Sequence, residues 1–253
     1  MPQFDFRQPR LFVDAALAAG ETIALERSQS HYLGNVLRLA AGETIRIFNG
    51  RDGEWQALIA GRKRPESLTI GTRTRPQDRL PDLAYVFAPL KHARLDYMVQ
   101  KAVEMGASSL QPVLTRFTQV ARVYNERMRA NVIEAAEQCG ILSIAEVAET
   151  VTLDRYLDAR KGQRLLVFCD EAAASGNPVK ALLSGPAGAN GVDVLIGPEG
   201  GFAEQERAVL LRQPQILRLS LGPRILRADT AGVAALALVQ AALGDWAGPG
   251  PAA

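Results

Sequence analysis

Leu195-Ile-Gly-Pro-Glu-Gly-Gly-Phe202 and, further on, Leu219-Ser-Leu-Gly-Pro-Arg-Ile-Leu-Arg-Ala-Asp-Thr-Ala231 set the architecture of this chain. Each opens as a short apolar run of strand character, breaks at Gly-Pro and passes into a helical pattern. Strands of an open α/β sheet present their carboxyl ends side by side, so two such breaks can line one concave, backbone-walled pocket. Gly197-Pro-Glu-Gly-Gly201 is no Walker loop, because no Gly-Lys-Ser/Thr follows, and it lacks the Gly-x-Gly-x-x-Gly dinucleotide spacing. A ligand with adenine and ribose but no phosphate can be held edge-on by plain backbone groups, and glycines permit the close approach. Ile225 and Leu226 add apolar walls.

Outward from these loops the grammar is strand and helix in alternation. Leu83–Leu90, Leu110–Leu114, Arg164–Cys169, Asp193–Gly197 and Ile216–Leu221 read as short, nearly continuous apolar strands, as expected where both faces are covered. Leu95, Met98, Val99, Ala102 and Met105 recur at helical spacing, with Lys101 and Glu104 on the other side. Arg127–Cys139 is a second helix, stopped by Gly140. The pattern predicts an α/β domain with a mainly parallel sheet. The last helix, Val233-Ala-Ala-Leu-Ala-Leu-Val239, is apolar around its circumference and must be covered by its own core or by a second copy of the chain.

Before residue 75 the sequence reads as β. Thr44–Phe48 alternates, the turn pairs Asn49-Gly50 and Asp52-Gly53 follow, and Trp55–Ala60 and Ser67–Thr72 supply further strands. Short strands with close turns suggest a small barrel of the kind used to hold RNA. Residues 75–82 look like a linker, giving expected domains at 1–75 and 76–246 and a flexible tail at 247–253.

At 253 residues, 47% hydrophobic and 22% charged, the chain can bury a full core. Met1-Pro-Gln-Phe-Asp-Phe-Arg7 carries no apolar run of the secretory type, and Ala231–Leu243, broken by Gln240, falls short of a membrane span. A cytoplasmic protein without a membrane partner is expected. Cys139 and Cys169 show no metal or redox spacing and are expected as buried, reduced thiols; His31 and His92 are isolated, so neither a zinc site nor a nucleophile relay can be assembled. No metal is expected. The net charge is +2, but up to residue 80 there are 12 Arg and Lys against 9 Asp and Glu. Arg62-Lys63-Arg64 heads this basic excess, which suits either a phosphate-binding face or a solvated surface.

Taken together, the two Gly-Pro loops resemble those of the ribosomal RNA small subunit methyltransferase E family, of the SPOUT class of knotted methyltransferases. Further matches are Pro9-Arg-Leu-Phe12, His31-Tyr-Leu-Gly-Asn-Val-Leu-Arg-Leu39, Lys91-His-Ala-Arg-Leu-Asp96, Gln100-Lys-Ala-Val-Glu-Met-Gly106 and Glu134-Ala-Ala-Glu-Gln138, so the resemblance spans nearly the whole chain. It implies a PUA-like RNA-binding β-barrel followed by an α/β domain with a carboxyl-terminal trefoil knot, working as a homodimer. It implies methyl transfer from S-adenosyl-L-methionine to N3 of a uridine in the decoding region of 16S ribosomal RNA, with either the small ribosomal subunit or free RNA as substrate. On the same ground the cofactor would lie among Ile196, Gly197, Gly201, Leu219, Leu221, Gly222, Ile225, Leu226 and Arg227. Arg227 would stabilise charge on the uracil, with Asp229 or Glu199 orienting it or accepting the proton. Arg10, His31, Arg38 and Arg62 to Arg64 are the RNA-contact candidates.

Three positions depart from the family pattern. Ala203 stands where a helix-capping Ser is usual, Gly140-Ile-Leu142 follows Glu137-Gln138 in place of an Arg, and Asp229 replaces a Glu. Other readings of the residues are a non-catalytic RNA-binding protein and a methyltransferase acting on another ribosomal or transfer RNA base; the missing phosphate loop argues against a Rossmann-type enzyme.

Overall fold

The computed structural model describes residues 8–91, 93–120, 122–160, 162–174, 176–186 and 190–247. Residues 1–7, His92 and residues 248–253 of the expected tail lie outside them. The chain divides into two compact units, Met1–Arg79 with Ala136–Ile144, and Leu80–Ala135 with Ala145–Ala253. The first therefore takes in a segment that sequence order places within the α/β part.

In the first unit β1 (Arg10–Phe12), β2 (Thr22–Ala24), β3 (Thr44–Phe48), β4 (Glu54–Ala60) and β5 (Ser67–Arg75) form one sheet in the order β1-β3-β4-β5-β2. All ladders are antiparallel except β1 with β3. The alternation in β3 does what its period implies: Ile45 and Ile47 enter a core shared with Leu11, Leu33, Ile59 and Leu68. Asn49 closes the β3–β4 turn, its Oδ1 accepting the N–H groups of Arg51 (3.1 Å) and Asp52 (2.9 Å). A short helix α1 (Arg27–His31) runs into a π-helical turn, Tyr32–Val36, which buries Leu33.

Residues 136–144 pack into the same unit. Phe48, Ala136 and Leu142 form a small second core, Glu137 Oε1 accepts the Phe12 N–H (2.8 Å), and Arg75 Nη2 donates to the Gly140 carbonyl (2.9 Å). The Gly140-Ile-Leu142 departure thus has a packing role, with Leu142 fully buried. Cys139 is exposed, which corrects the expectation of two buried thiols.

The second unit is built on parallel strands β6 (Leu83–Phe87), β7 (Ser109–Leu114), β8 (Glu146–Val147), β9 (Val151–Thr152), β10 (Leu165–Cys169), β11 (Val192–Ile196) and β12 (Ile216–Leu219). Their order is β12-β10-β11-β6-β7-β8, with β9 pairing β7 beyond β8. Every ladder is parallel, as the unbroken apolar runs imply. Helices α2 (Ala93–Glu104), α3 (Asn125–Cys139), α4 (Leu153–Ala159), α5 (Pro178–Leu183), α6 (Glu204–Leu210) and α7 (Ala228–Leu243) connect or follow them. The chain first builds toward β8, then returns to add β10 and β12 on the far side of β11. That reversal of direction opens a crevice at the strand carboxyl ends.

Helix α7 packs against α2, α5 and β11 and buries Ala228, Gly232, Ala235, Leu236, Val239 and Gln240. Gln240, the one polar interruption in the apolar run, is fully buried; its Nε2 donates to the Met105 carbonyl (2.7 Å) and its Oε1 accepts the Asp245 N–H (3.2 Å). No helix among the described residues is long and apolar enough to cross a membrane.

Candidate active site

The carboxyl ends of β10, β11 and β12 surround a cleft of about 530 Å³, a volume suited to a small ligand. Ile196 and Gly197 come from the end of β11, Gly201 from the loop before α6, and Leu219 from the end of β12. Leu221, Gly222, Ile225, Leu226 and Arg227 come from the loop before α7, and all nine residues line the cleft together with Glu199. The two loops therefore meet, as their strand-then-break pattern requires. Gly222 holds φ at +101°, a region closed to most side chains, which lets the second loop turn back across the strand ends. The backbone N–H groups of residues 221, 222 and 224–226 donate no backbone hydrogen bond among the described residues. They are donors available to a ligand rather than to the fold.

Two features of the cleft were not evident in the sequence reading. Phe168, Cys169, Asp170 and Glu171 at the end of β10 form a third wall; the signal was present in an acidic pair directly after an apolar strand, at the position where parallel sheets place their functional groups. Burial pushes the Cys169 thiol up to about 12, so it carries no nucleophilic thiolate at neutral pH. Asp170 is 5% exposed and is clasped by Arg207 Nη2 (2.9 Å) and Arg218 Nη2 (2.8 Å). Burial pushes this carboxyl up, but the hydrogen bonds from Arg207, the Ala172 N–H and Arg218 outweigh it and hold the group below its usual value. Asp170 is thus an anion that fixes β10 to α6 and β12.

The second feature, beside the lining rather than in it, is Arg94 in the first turn of α2. Its Nη1 lies 3.3 Å from Glu199 Oε1 and its Nε 4.0 Å from Asp229 Oδ2. Glu199 and Asp229, the residues expected to orient Arg227 or accept the proton, both face Arg94: Glu199 from the loop between β11 and α6, and Asp229 from the first turn of α7, which packs against α2. Asp229 Oδ1 also accepts the Thr230 N–H (2.7 Å), fixing the carboxylate at the start of α7. Ala203 begins α6 without a hydroxyl cap, and Glu206 compensates, Oε2 accepting the Ala203 N–H (2.9 Å). Among the described residues no cluster of His, Cys, Asp and Glu suits a metal ion.

Of the RNA-contact candidates in the first unit, His31, Arg38, Arg62, Lys63 and Arg64 are exposed. Arg10 is not. Its side chain is 9% exposed, pairs with Glu54 and lies 5.3 Å from the Phe48 ring centre. Arg10 lies in a three-residue strand paired with β3, and its guanidinium meets the buried carboxylate of Glu54.

Residues 77–240 match an RNA methyltransferase domain family and residues 25–69 an RNA methyltransferase PUA domain family. The ribosomal RNA small subunit methyltransferase E of Rickettsia conorii is 30% identical over 233 residues, covering 91% of this chain and 94% of that protein. A methyltransferase of Legionella pneumophila, solved with bound SAM, superposes with a TM-score of 0.81 at 29% identity, covering 93% of this chain and 98% of that one. The ribosomal RNA small subunit methyltransferase E of Neisseria gonorrhoeae, solved with S-adenosyl methionine, gives 0.80 at 27% identity over 92% and 97% of the two chains. With both domains matched and the cleft formed where the two Gly-Pro loops meet, this chain belongs to the RNA methyltransferase family, in its ribosomal RNA small subunit methyltransferase E branch.

Proposed function

We infer that this chain is an S-adenosyl-L-methionine-dependent methyltransferase that modifies N3 of a uridine in small-subunit ribosomal RNA. The observation that carries the reading is the convergence of nine residues from two distant loops on one cleft lined with free backbone donors and apolar side chains. The two loops lack the Gly-Lys-Ser/Thr spacing of a phosphate loop, and the lining sets Leu219, Leu221, Ile225 and Leu226 beside the carboxylates Asp170 and Glu171, a chemistry that fits an adenosyl group. When bound, the cofactor supplies an already activated methyl group on a sulfonium. The chain's own task is to orient the acceptor, exclude water and stabilise charge as N3 loses its proton.

Arg227 lines the cleft at the N-cap of α7 and stabilises negative charge on the uracil oxygens, as a preorganised cation does best in a confined site. Arg94 holds Glu199 and Asp229 at the rim, which leaves a carboxylate oxygen in place to take the N3 proton. N3 lies on the pairing edge of the base, so the target nucleotide must be unpaired or turned out before it can react. The exposed His31, Arg38 and Arg62 to Arg64 serve the phosphate backbone.

We extend the reading to a cytoplasmic homodimer with a trefoil-threaded carboxyl-terminal segment. Support for pairing comes from α7, where Val233, Ala234, Ala237 and Leu238 keep partly accessible apolar surface beside the exposed Leu243 and Trp246. Light scattering should return twice the chain mass; a monomer at micromolar concentration removes this part. The activity is tested by incubating purified protein with radiolabelled methyl donor and either unmodified small subunits or naked 16S RNA, then mapping the product. Label on N3 of one uridine supports the reading. Absence of label from both substrates, with the donor bound by calorimetry, overturns it.

A further inference from the structure

The loop between β7 and α3 presents several large side chains to solvent. Over residues 115–124 it exposes Arg116, Phe117, Gln119, Arg122 and Tyr124. Phe117 is 44% and Tyr124 59% exposed, and the Arg122 guanidinium lies 4.9 Å from the Tyr124 ring centre. The root of the loop is nevertheless fixed. The Thr115 N–H donates to Thr118 Oγ1 (2.9 Å) and the Arg116 N–H to Glu206 Oε1 (2.8 Å). Glu206 uses its other oxygen at the start of α6, so one carboxylate ties this loop to the segment that leaves the cleft.

Phe117 lies against that segment. A Cβ on Gly200 would stand 3.2 Å from the Phe117 Cβ, and Gly200 directly follows Glu199, which lines the cleft. Beside them is a shallow, open hollow bounded by Arg116, Phe117, Thr118, Gln119 and Gly200.

We propose that this loop is a nucleotide-receiving platform for the RNA substrate: an unstacked base lies on the Phe117 ring beside Gly200, and Arg116 and Arg122 face the flanking phosphates. Two exposed aromatic rings interleaved with cations are the combination by which single strands are held, each ring offering a face to any base and each cation a phosphate contact. A protein partner would call for a continuous apolar patch, whereas here charged and amide groups separate the rings. The position also suits the chemistry. A base that must leave its stack needs a surface to receive it or to fill its place, and the platform stands one residue from the cleft rim.

The inference rests on the methyltransferase reading, and its test separates the two. Steady-state methylation of small-subunit RNA is measured for Phe117→Leu, which keeps an apolar body against Gly200 but loses the flat face, and for Phe117→Tyr, which keeps the face. Affinity for S-adenosylmethionine is measured in parallel by calorimetry. The expected result is a KM for RNA raised about tenfold or more in Phe117→Leu, most of it recovered in Phe117→Tyr, with donor affinity unchanged in both. A KM within twofold of wild type in Phe117→Leu, or an equal loss in both variants, overturns the platform. A wild-type protein that binds donor and methylates no RNA overturns the activity and the platform together, and is told apart because the unsubstituted chain is itself silent.

Discussion

Arg227 and Arg94 hold different places at the site. Arg227 lines the cleft, whereas Arg94 takes both carboxylates. Arg227→Ala should lower turnover about 100-fold or more while donor affinity by calorimetry changes far less; single-turnover rates near wild type would contradict the assigned role. Asp170 makes a prediction of a different kind. Its folded pKa is depressed, so its contribution is complete above the unfolded value near 4 and is lost as pH falls through the folded value. Asp170→Asn should therefore cost about 1–3 kcal/mol at pH 7, and the gap to wild type in denaturant melts should close below pH 4. Tyr85 is the converse case. Its buried hydroxyl has no hydrogen-bond partner among the described residues, and burial drives its pKa far above the usual phenol value. Tyr85→Phe should be neutral or stabilising by about 1 kcal/mol, since it removes an unsatisfied group and keeps the ring stacked 4.9 Å from Phe87.

Helix α7 depends on one residue that helix propensity alone would reject. Gly232 sits in its interior, where Gly costs about 1 kcal/mol relative to Ala. A Cβ at that position would collide with the Tyr85 hydroxyl, so the glycine permits α7 to settle on β6. Gly232→Ala gains propensity but overpacks the contact by about 1–3 kcal/mol, and its melting temperature should fall. Combining it with Tyr85→Phe should restore part of the loss, because neighbouring substitutions that relieve one clash are not additive; a fully additive double variant would contradict the account. The main strands and α2 were legible because a parallel sheet covered on both faces writes continuous apolar runs into its sequence. The three-residue strands β1 and β2 and the two-residue strands β8 and β9 were not, since so few residues establish no period.

Across the whole molecule the small net charge of +2 conceals the basic excess of the first 80 residues. If Arg62, Lys63 and Arg64 meet phosphates, replacing all three with Ala should reduce the slope of log affinity against log salt by about 2 for single-stranded RNA. Filter binding at three salt concentrations measures it, and an unchanged slope assigns the triplet to solvent. The cleft was largely legible, because Gly-Pro breaks after apolar strands mark where parallel strands end. Its third wall, the Arg94 clasp and the burial of Arg10 were not. They arise from which strands become neighbours, and β10 meets β12 only because the chain doubles back across about 50 residues.

The same doubling back bears on how the protein responds to its ligand. The walls of the cleft belong to β10, β11 and β12, so no part of the chain shorter than this stretch can bind tightly, and binding is linked to completing the sheet. A donor at 100 times its dissociation constant should then add about 2.7 kcal/mol to the second unit's resistance to unfolding, so the thermal shift should keep rising with the logarithm of donor concentration after the cleft is full.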